Sequence, residues 1–270
     1  MDFPAWQTSK DVLSYGWHRR VALARFSAVP VIIVVVLSMA LYAAVPTALR
    51  AATSFITIVF QTLAFLPVTV TWYRIVVWGE EAARNRPLFA FGRIEQRLLG
   101  WQILLLLISA AATAIAYGSI LLLMKIGSFF ITEGTFGQYV VIGIVIAWGI
   151  TIAVGFLIAG TRLSMVLALV ALDQPVSFKA AWRMAIGVGP RIFTSVAIAS
   201  LLVVLVMLPL FIVVGVIQYF STVGEYLNIA FQGVANLLIQ LSAVTAFGFA
   251  YNRLTNPSAQ TIAAETPTQT

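Results

Sequence analysis

Four side-chain amides, Asn228, Gln232, Asn236 and Gln240, recur at every fourth position of a run from Tyr226 to Asn252 that carries no charged residue. The chemistry open to such a row is hydrogen bonding without proton transfer. A side-chain amide donates and accepts but does not titrate. The row can therefore bind helices together, or line a path or cleft for a polar solute. In hydrocarbon, an amide without a partner is strongly penalised, so the row must face other protein, water or a polar ligand. Gln61, with Thr57 one helical turn before it, offers a partner on a second apolar stretch.

No other pattern in the chain carries chemistry. All nine acidic residues lie outside the long charge-free stretches, which disfavours proton-coupled transport through an intramembrane carboxylate. His18 is the single histidine and too few to make a metal site. The absence of cysteine excludes disulfides, thiol nucleophiles and Cys-ligated metals. There is no phosphate-binding glycine loop, HExxH or GxSxG. Glu80 and Glu81, beside Arg84 and Arg86, read as a solvated loop. The chain is expected to be no enzyme and to take no cofactor. Its net charge of +7 points to basic residues against an anionic lipid leaflet, at ~1 kcal/mol each, rather than to nucleic acid.

The elements that must position the amides follow from charge. Six stretches, 26–49, 51–73, 98–124, 134–161, 192–224 and 226–252, contain no charged residue. Each reaches the ~20 residues that cross a ~30 Å hydrocarbon core as a helix. With 61% hydrophobic residues, 9% charged residues and a mean hydropathy of +1.00, most of the chain is too apolar for water. The fold class is all-α: a polytopic membrane protein with six transmembrane helices and amphipathic interfacial helices. Of the 16 basic residues, only Arg50 and Lys125 fall on one side of this arrangement. That asymmetry places both termini in the cytoplasm.

The chain divides into a cytoplasmic amphipathic segment (1–25), the six-helix domain (26–253) and a disordered cytoplasmic tail (254–270). The run from Phe26 to Leu49 exceeds the ~7–15 residues of a cleavable signal core, so it reads as an uncleaved signal-anchor. The tail has too little apolar surface to order itself, beyond a short turn at Asn256–Pro257. The run from Tyr139 to Leu172 would reach ~50 Å as a helix. Gly160 and Arg162 mark its exit from the membrane, and Leu163–Leu172 continues against the bundle or along the interface.

A threefold repeat runs through this plan. Arg74 and Arg162 each close a span, and Pro87 and Pro175 each follow their arginine by 13 residues. Basic and aromatic segments then lead into the next span, over Leu88–Leu99 and Val176–Arg191, as Asp11–Arg25 does before the first. The unit is an interfacial helix followed by a transmembrane hairpin, although basic and aromatic residues also collect at any membrane boundary. Small residues mark packing faces: Gly143, Ala147, Thr151, Gly155 and Ala159 in the fourth span, and Ala110, Ala114 and Gly118 in the third. Such rows let helix backbones approach closely. An antiparallel pair of these two spans is expected, the alternative being contact with a second protomer.

The segments TWYRIVVWGEEAARNRPLFAFGRIEQRLLGW (Thr71–Trp101) and ALDQPVSFKAAWRMAIGVGPRIF (Ala171–Phe193) resemble loops of bacterial six-span inner-membrane proteins. They are similar to the membrane domain attached to some glycerophosphodiester phosphodiesterases. The resemblance implies a bacterial inner-membrane location. It carries no activity over, because the acidic and histidine residues of a phosphodiesterase domain are missing. The expected role is to organise or assist a membrane complex, with the lipid bilayer as partner and other membrane proteins or a second copy of the chain beside it. The rival expectation is a transporter or channel for a small or lipid-like solute that uses the amide row. Because the chain has no cysteine, orientation is directly testable. Ser128→Cys should react with an impermeant thiol reagent on intact cells, whereas Asn85→Cys and Ser258→Cys should not. The reverse labelling would overturn the orientation.

Overall fold

Without water to hydrogen-bond the backbone, a chain this apolar must satisfy its peptide groups internally, and the helix does so within one segment. The computed structural model describes residues 5–45, 50–84, 91–130 and 136–255. Their helices are α1 (Ala5–His18), α2 (Arg20–Ala44), α3 (Arg50–Trp78), α4 (Glu81–Arg84), α5 (Arg93–Phe130), α6 (Phe136–Ala171), α7 (Phe178–Met184), α8 (Gly189–Phe220) and α9 (Thr222–Thr255). Among the described residues, α2, α3, α5, α8 and α9 each hold a stretch long and apolar enough to cross a membrane. The protein is thus an all-α, polytopic membrane protein. Helix α6 is one continuous helix of 36 residues, apolar over Tyr139–Ile152 and Ile158–Ala171. The expected tail lies outside the described residues from 256 onwards, while Leu254 and Thr255 complete α9.

Consecutive long helices pair as α2 with α3, α5 with α6, and α8 with α9. The three hairpins meet at the end where α2, α5 and α8 begin and α3, α6 and α9 finish, which is also where the arginines gather (the basic end below). The core lies there. It takes Phe65, Leu66, Trp72 and Ile75 from α3, Met165 and Val166 from α6, Leu172 just after it, and Leu237, Leu241 and Val244 from α9. Away from this end the packing thins. No described residue of α5 between Ile103 and Lys125 is buried, and none of α6 between Tyr139 and Gly160.

Local chemistry sets the joints. Gly79, at φ +85°, ends α3 in a conformation that suits glycine. Asp173 follows α6 at φ 55°, with its amide bonded to Val170 O and that of Gln174 to Leu169 O. These two bonds form the motif that normally recruits glycine there. Here an aspartate tolerates the left-handed backbone, and its carboxylate accepts from Arg97 at 2.9 Å. Ser177 caps α7 by accepting from Ala180 N at 3.0 Å. At the start of α5, Glu95 turns back to accept the Gly92 amide at 2.9 Å. The turn between α8 and α9 is so tight that a side chain on Gly224 would overlap the backbone of Ile217 and Gln218.

The interfacial segments differ from the sequence reading in their limits. Helix α1 stops at His18 and Arg20–Arg25 already belong to α2, whose long basic side chains can reach outward from a membrane-crossing helix. Arg93–Leu99 is likewise continuous with α5, and residues 88–90 lie outside those described. Among the described residues α1, the four-residue α4 and α7 stand as separate short helices before a hairpin. Moreover, α1 packs on α8 and α9. Its inner face carries Thr8, Ser9 and Val12, with Ser9 Oγ donating to Ser195 O at 3.1 Å. Tyr15 donates to Ile75 O at 2.9 Å. Burial raises the phenol above its usual range against the opposing pull of Arg19, so the hydroxyl remains a donor.

Glycine positions separate close helix contacts from open faces. A Cβ on Gly248 of α9 would stand 2.6 Å from Val76 Cγ1 of α3, whereas at Gly118, Gly143 or Gly155 it would meet nothing within 4 Å. Those three glycines therefore mark no close approach among the described residues. Overfilling a packed contact costs ~1–3 kcal/mol, and alanine for a helical glycine returns only ~0.5–1 kcal/mol. Gly248→Ala should lose about 1–2 kcal/mol of stability on that balance. Gly155→Leu should stay within ~0.5 kcal/mol of the parent protein. Thermal unfolding of both variants in detergent checks this, and an unchanged Gly248→Ala would contradict the close α3–α9 approach.

Candidate functional site

The amide row winds around α9 instead of lying along one line. Four residues turn a helix by ~400°, so each step of the row advances about 40° around the axis. The row therefore begins against α3 at its Gln240 end and turns away from it toward Asn228. Its hydrogen bonds follow that rotation. Gln240 donates to Thr69 Oγ1 at 2.9 Å, and Asn236 donates to Gln61 Oε1 at 3.1 Å. Among the described residues Gln232 reaches only Asn228 on its own helix, at 3.4 Å.

Toward the basic end the seam between α3 and α9 continues with different residue types. Trp72 Nε1 donates to Thr245 Oγ1 at 2.8 Å, both side chains being buried. Asn252 Nδ2 approaches Val76 O at 3.4 Å. Partner numbers rise together along the two helices, so α3 and α9 run parallel. Thr69, Trp72 and Thr245 escaped the sequence reading. Thr and Trp are common in apolar spans, and no spacing distinguishes a hydroxyl that bonds across helices from one that bonds its own backbone.

Exposure divides the row again. Gln61 is buried, Asn228 and Gln240 are half-buried, and Gln232 and Asn236 are exposed. Counting from Thr222, Gln232 and Asn236 lie ~15 and ~21 Å along α9, in the middle part of a ~30 Å hydrocarbon core. Each amide offers two N–H donors and a carbonyl with two lone pairs. Among the described residues each makes one side-chain hydrogen bond here, so capacity for further bonds remains at mid-helix depth.

The small-residue row of α6 divides in a similar way. Ala147 and Thr151 line a groove of about 470 Å³ together with Ser119, Leu122 and Trp148, and Trp148 Nε1 donates to Ser119 Oγ at 2.9 Å across the α5–α6 pair. Gly143 and Gly155 face open space, and Ala159 is half-buried. Of the titratable groups, His18 bonds within α1 to Ser14 O at 2.7 Å, and Glu80 pairs with Arg19. Among the described residues no three His, Cys, Asp or Glu side chains gather to hold a metal.

No protein-family model, curated protein or solved structure matches the chain. The chemistry of the site thus rests on its own side chains: neutral hydrogen-bonding groups, half of them committed to α3. Interhelical side-chain bonds in membranes average ~0.6 kcal/mol and reach ~1.7 kcal/mol. A double-mutant cycle with Gln61→Leu and Asn236→Leu should give a coupling in that range by reversible unfolding in detergent. Gln232→Leu should show no coupling to Gln61→Leu. Zero coupling between positions 61 and 236 would mean that the bond does not contribute to the fold.

Proposed function

We propose that the chain is a non-enzymatic, six-span protein of the bacterial inner membrane, with both termini cytoplasmic, that organises or assists a membrane complex. The α5–α6 hairpin is its contact element. The observation that carries this reading is the hairpin's exposure: from Ile103 to Lys125 and from Tyr139 to Gly160 no described side chain is buried, yet glycines leave its surface open. Small residues without a facing helix let another backbone approach closely, and this gain in van der Waals contact drives helix association in lipid. The partner is another membrane protein or a second copy of the chain. The 36 residues of α6 supply the sixth span, and an even number of crossings keeps the basic helix ends on one side. Three successive hairpins, the first and third preceded by α1 and α7, fit a threefold internal repeat.

A second reading has its own observation. Gln232 and Asn236 are exposed amides at mid-helix depth, and a polar surface in hydrocarbon is costly unless water or a polar ligand meets it. That favours a transporter or channel for a small or lipid-like solute.

One set of variants separates the two. In native membranes, single cysteines at Gly118 and Gly155 should form specific cross-links, either to a second copy or to a distinct partner. Val206→Cys, on an exposed apolar face of α8, should not. Equal cross-linking at Val206 would remove the hairpin's special role. If the amides line a solute path, Gln232→Leu with Asn236→Leu should fold normally but fail to complement a deletion strain. Full complementation would end the transport reading.

A further inference from the structure

Among the described residues, Arg162 of α6 is a cation with no counter-charge. Its Nε is buried and has no hydrogen-bond partner among them. Its guanidinium lies over the ring of Trp182 in α7, 4.7 Å from the ring centre. Gly189, at the start of α8, is where a Cβ would sit 3.4 Å from Arg162 Cγ, so the glycine makes room for the arginine stem. An unpaired buried donor on a charged group costs more than a neutral one. Arginine also does not escape the penalty by losing its proton.

Four of the described acids at the same end are engaged elsewhere. Asp173 accepts from Arg97, Glu80 from Arg19 and Glu95 from the Gly92 amide, while Asp11 lies 3.8 Å from Arg253. Around Arg162 the charge is instead reinforced. Helix α7 turns Ala181 inward and leaves Lys179, Trp182 and Arg183 exposed at i, i+3 and i+4, and in the turn that follows it Ala185 is buried and Ile186 exposed. Bulky apolar and basic side chains alternating on one face are what a helix lying at a lipid headgroup layer presents.

We infer that Arg162, backed by Trp182 and flanked by Lys179 and Arg183, is a binding site for the phosphate of an anionic phospholipid headgroup. The guanidinium fork suits phosphate oxygens bidentately. Arg162 is only partly buried, which leaves part of the residue accessible. A small outward swing of Trp182, itself 37% exposed, admits an oxygen to Nε as well. Lys179 and Arg183 of α7 add charge at the rim, and Trp182 and Ile186 meet the upper acyl chains. Basic pockets between membrane helices on the cytoplasmic side take such headgroups. This site is separate from both the hairpin contact and the amide row, and it stands or falls without them.

The test uses the full-length protein in neutral detergent, with its unfolding temperature followed as probes are added. Dioctanoyl phosphatidylglycerol should raise the unfolding temperature saturably, while dioctanoyl phosphatidylcholine and inorganic phosphate at the same concentration should not. Arg162→Gln should weaken the phosphatidylglycerol effect about tenfold or more, a change of ~1.4 kcal/mol. Arg162→Lys should restore only part of it, because the fork is lost. Should Arg162→Gln fail to fold, the exposed pair Lys179→Gln with Arg183→Gln serves instead and should also weaken phosphatidylglycerol binding. An equal response to inorganic phosphate would make this a free-phosphate site. An equal response to phosphatidylcholine, or unchanged affinity in the variants that fold, would overturn the proposal.

Discussion

Everything at the basic end leans on the contact between α3 and α9, two helices that belong to different hairpins and lie far apart in sequence. Their approach brings the first and last hairpins together, and α1, α2 and α6 pack on α9 as well as on their own neighbours. In lipid this contact has little hydrophobic driving force, since a leucine is as well solvated by acyl chains as by protein. Close packing and hydrogen bonds must carry it. Gly248 supplies the close approach against Val76, and Trp72–Thr245, Gln240–Thr69 and Asn236–Gln61 fix the parallel register. The bonds act mainly by specificity: each adds little energy, but sliding one helix along the other would leave several polar groups unpaired at once.

The ion pairs work in the same direction. Arg19–Glu80 joins the α1–α2 break to the end of α3, Arg97–Asp173 joins the base of α5 to the end of α6, and Arg253 of α9 faces Asp11 of α1. All three are partly exposed, and exposed pairs contribute only ~0–1 kcal/mol each. Their value is positional. They tie helix starts to helix ends in one layer, and among the described residues the opposite ends of the hairpins carry one such link. There Glu225 accepts from Tyr42 at 2.8 Å, holding the far end of α2 to α9. Among the described residues the α5–α6 pair buries no side chain from Ile103 to Lys125 or from Tyr139 to Gly160, so packing is close where charge gathers and thins away from it.

Much of this was legible in the sequence, and what was not has a common cause. Charge-free runs located the long helices because burying or lipid-solvating a charge is costly at any position, a one-dimensional constraint. The length of the Tyr139–Leu172 run foretold one long helix, and the last turns of α6 do enter the core at Met165 and Val166. The amide row was visible as spacing, and Gln61 as its counterpart. Which members face α3 was not visible, since the drift per step matters only once a neighbour is placed. The seat of α1 against α8 and α9 depends on Ser9, Val12 and Tyr15 finding Ser195 and Ile75, contacts that no local pattern encodes. Small-residue rows were ambiguous for a related reason. The same glycines serve a neighbour within the chain, as Gly248 does, or face away from it, as Gly143 and Gly155 do.

The two unfinished surfaces obey different physics. An open glycine face in lipid is not strained, because acyl chains fill the space at little cost, so its exposure alone imposes no urgency. An exposed amide at mid-helix depth is different. Gln232 and Asn236 keep donors and acceptors that acyl chains cannot satisfy, and that penalty persists until water, a polar solute or a partner's polar group arrives. The glycine face therefore permits association, whereas the amides demand a polar neighbour. A partner helix bringing its own hydroxyl or amide would satisfy the demand statically, and a passing solute would satisfy it only in turn. The rotation of the row determines how much can be met from within: Gln240 and Asn236 are turned far enough toward α3 to find Thr69 and Gln61, and Gln232 is not.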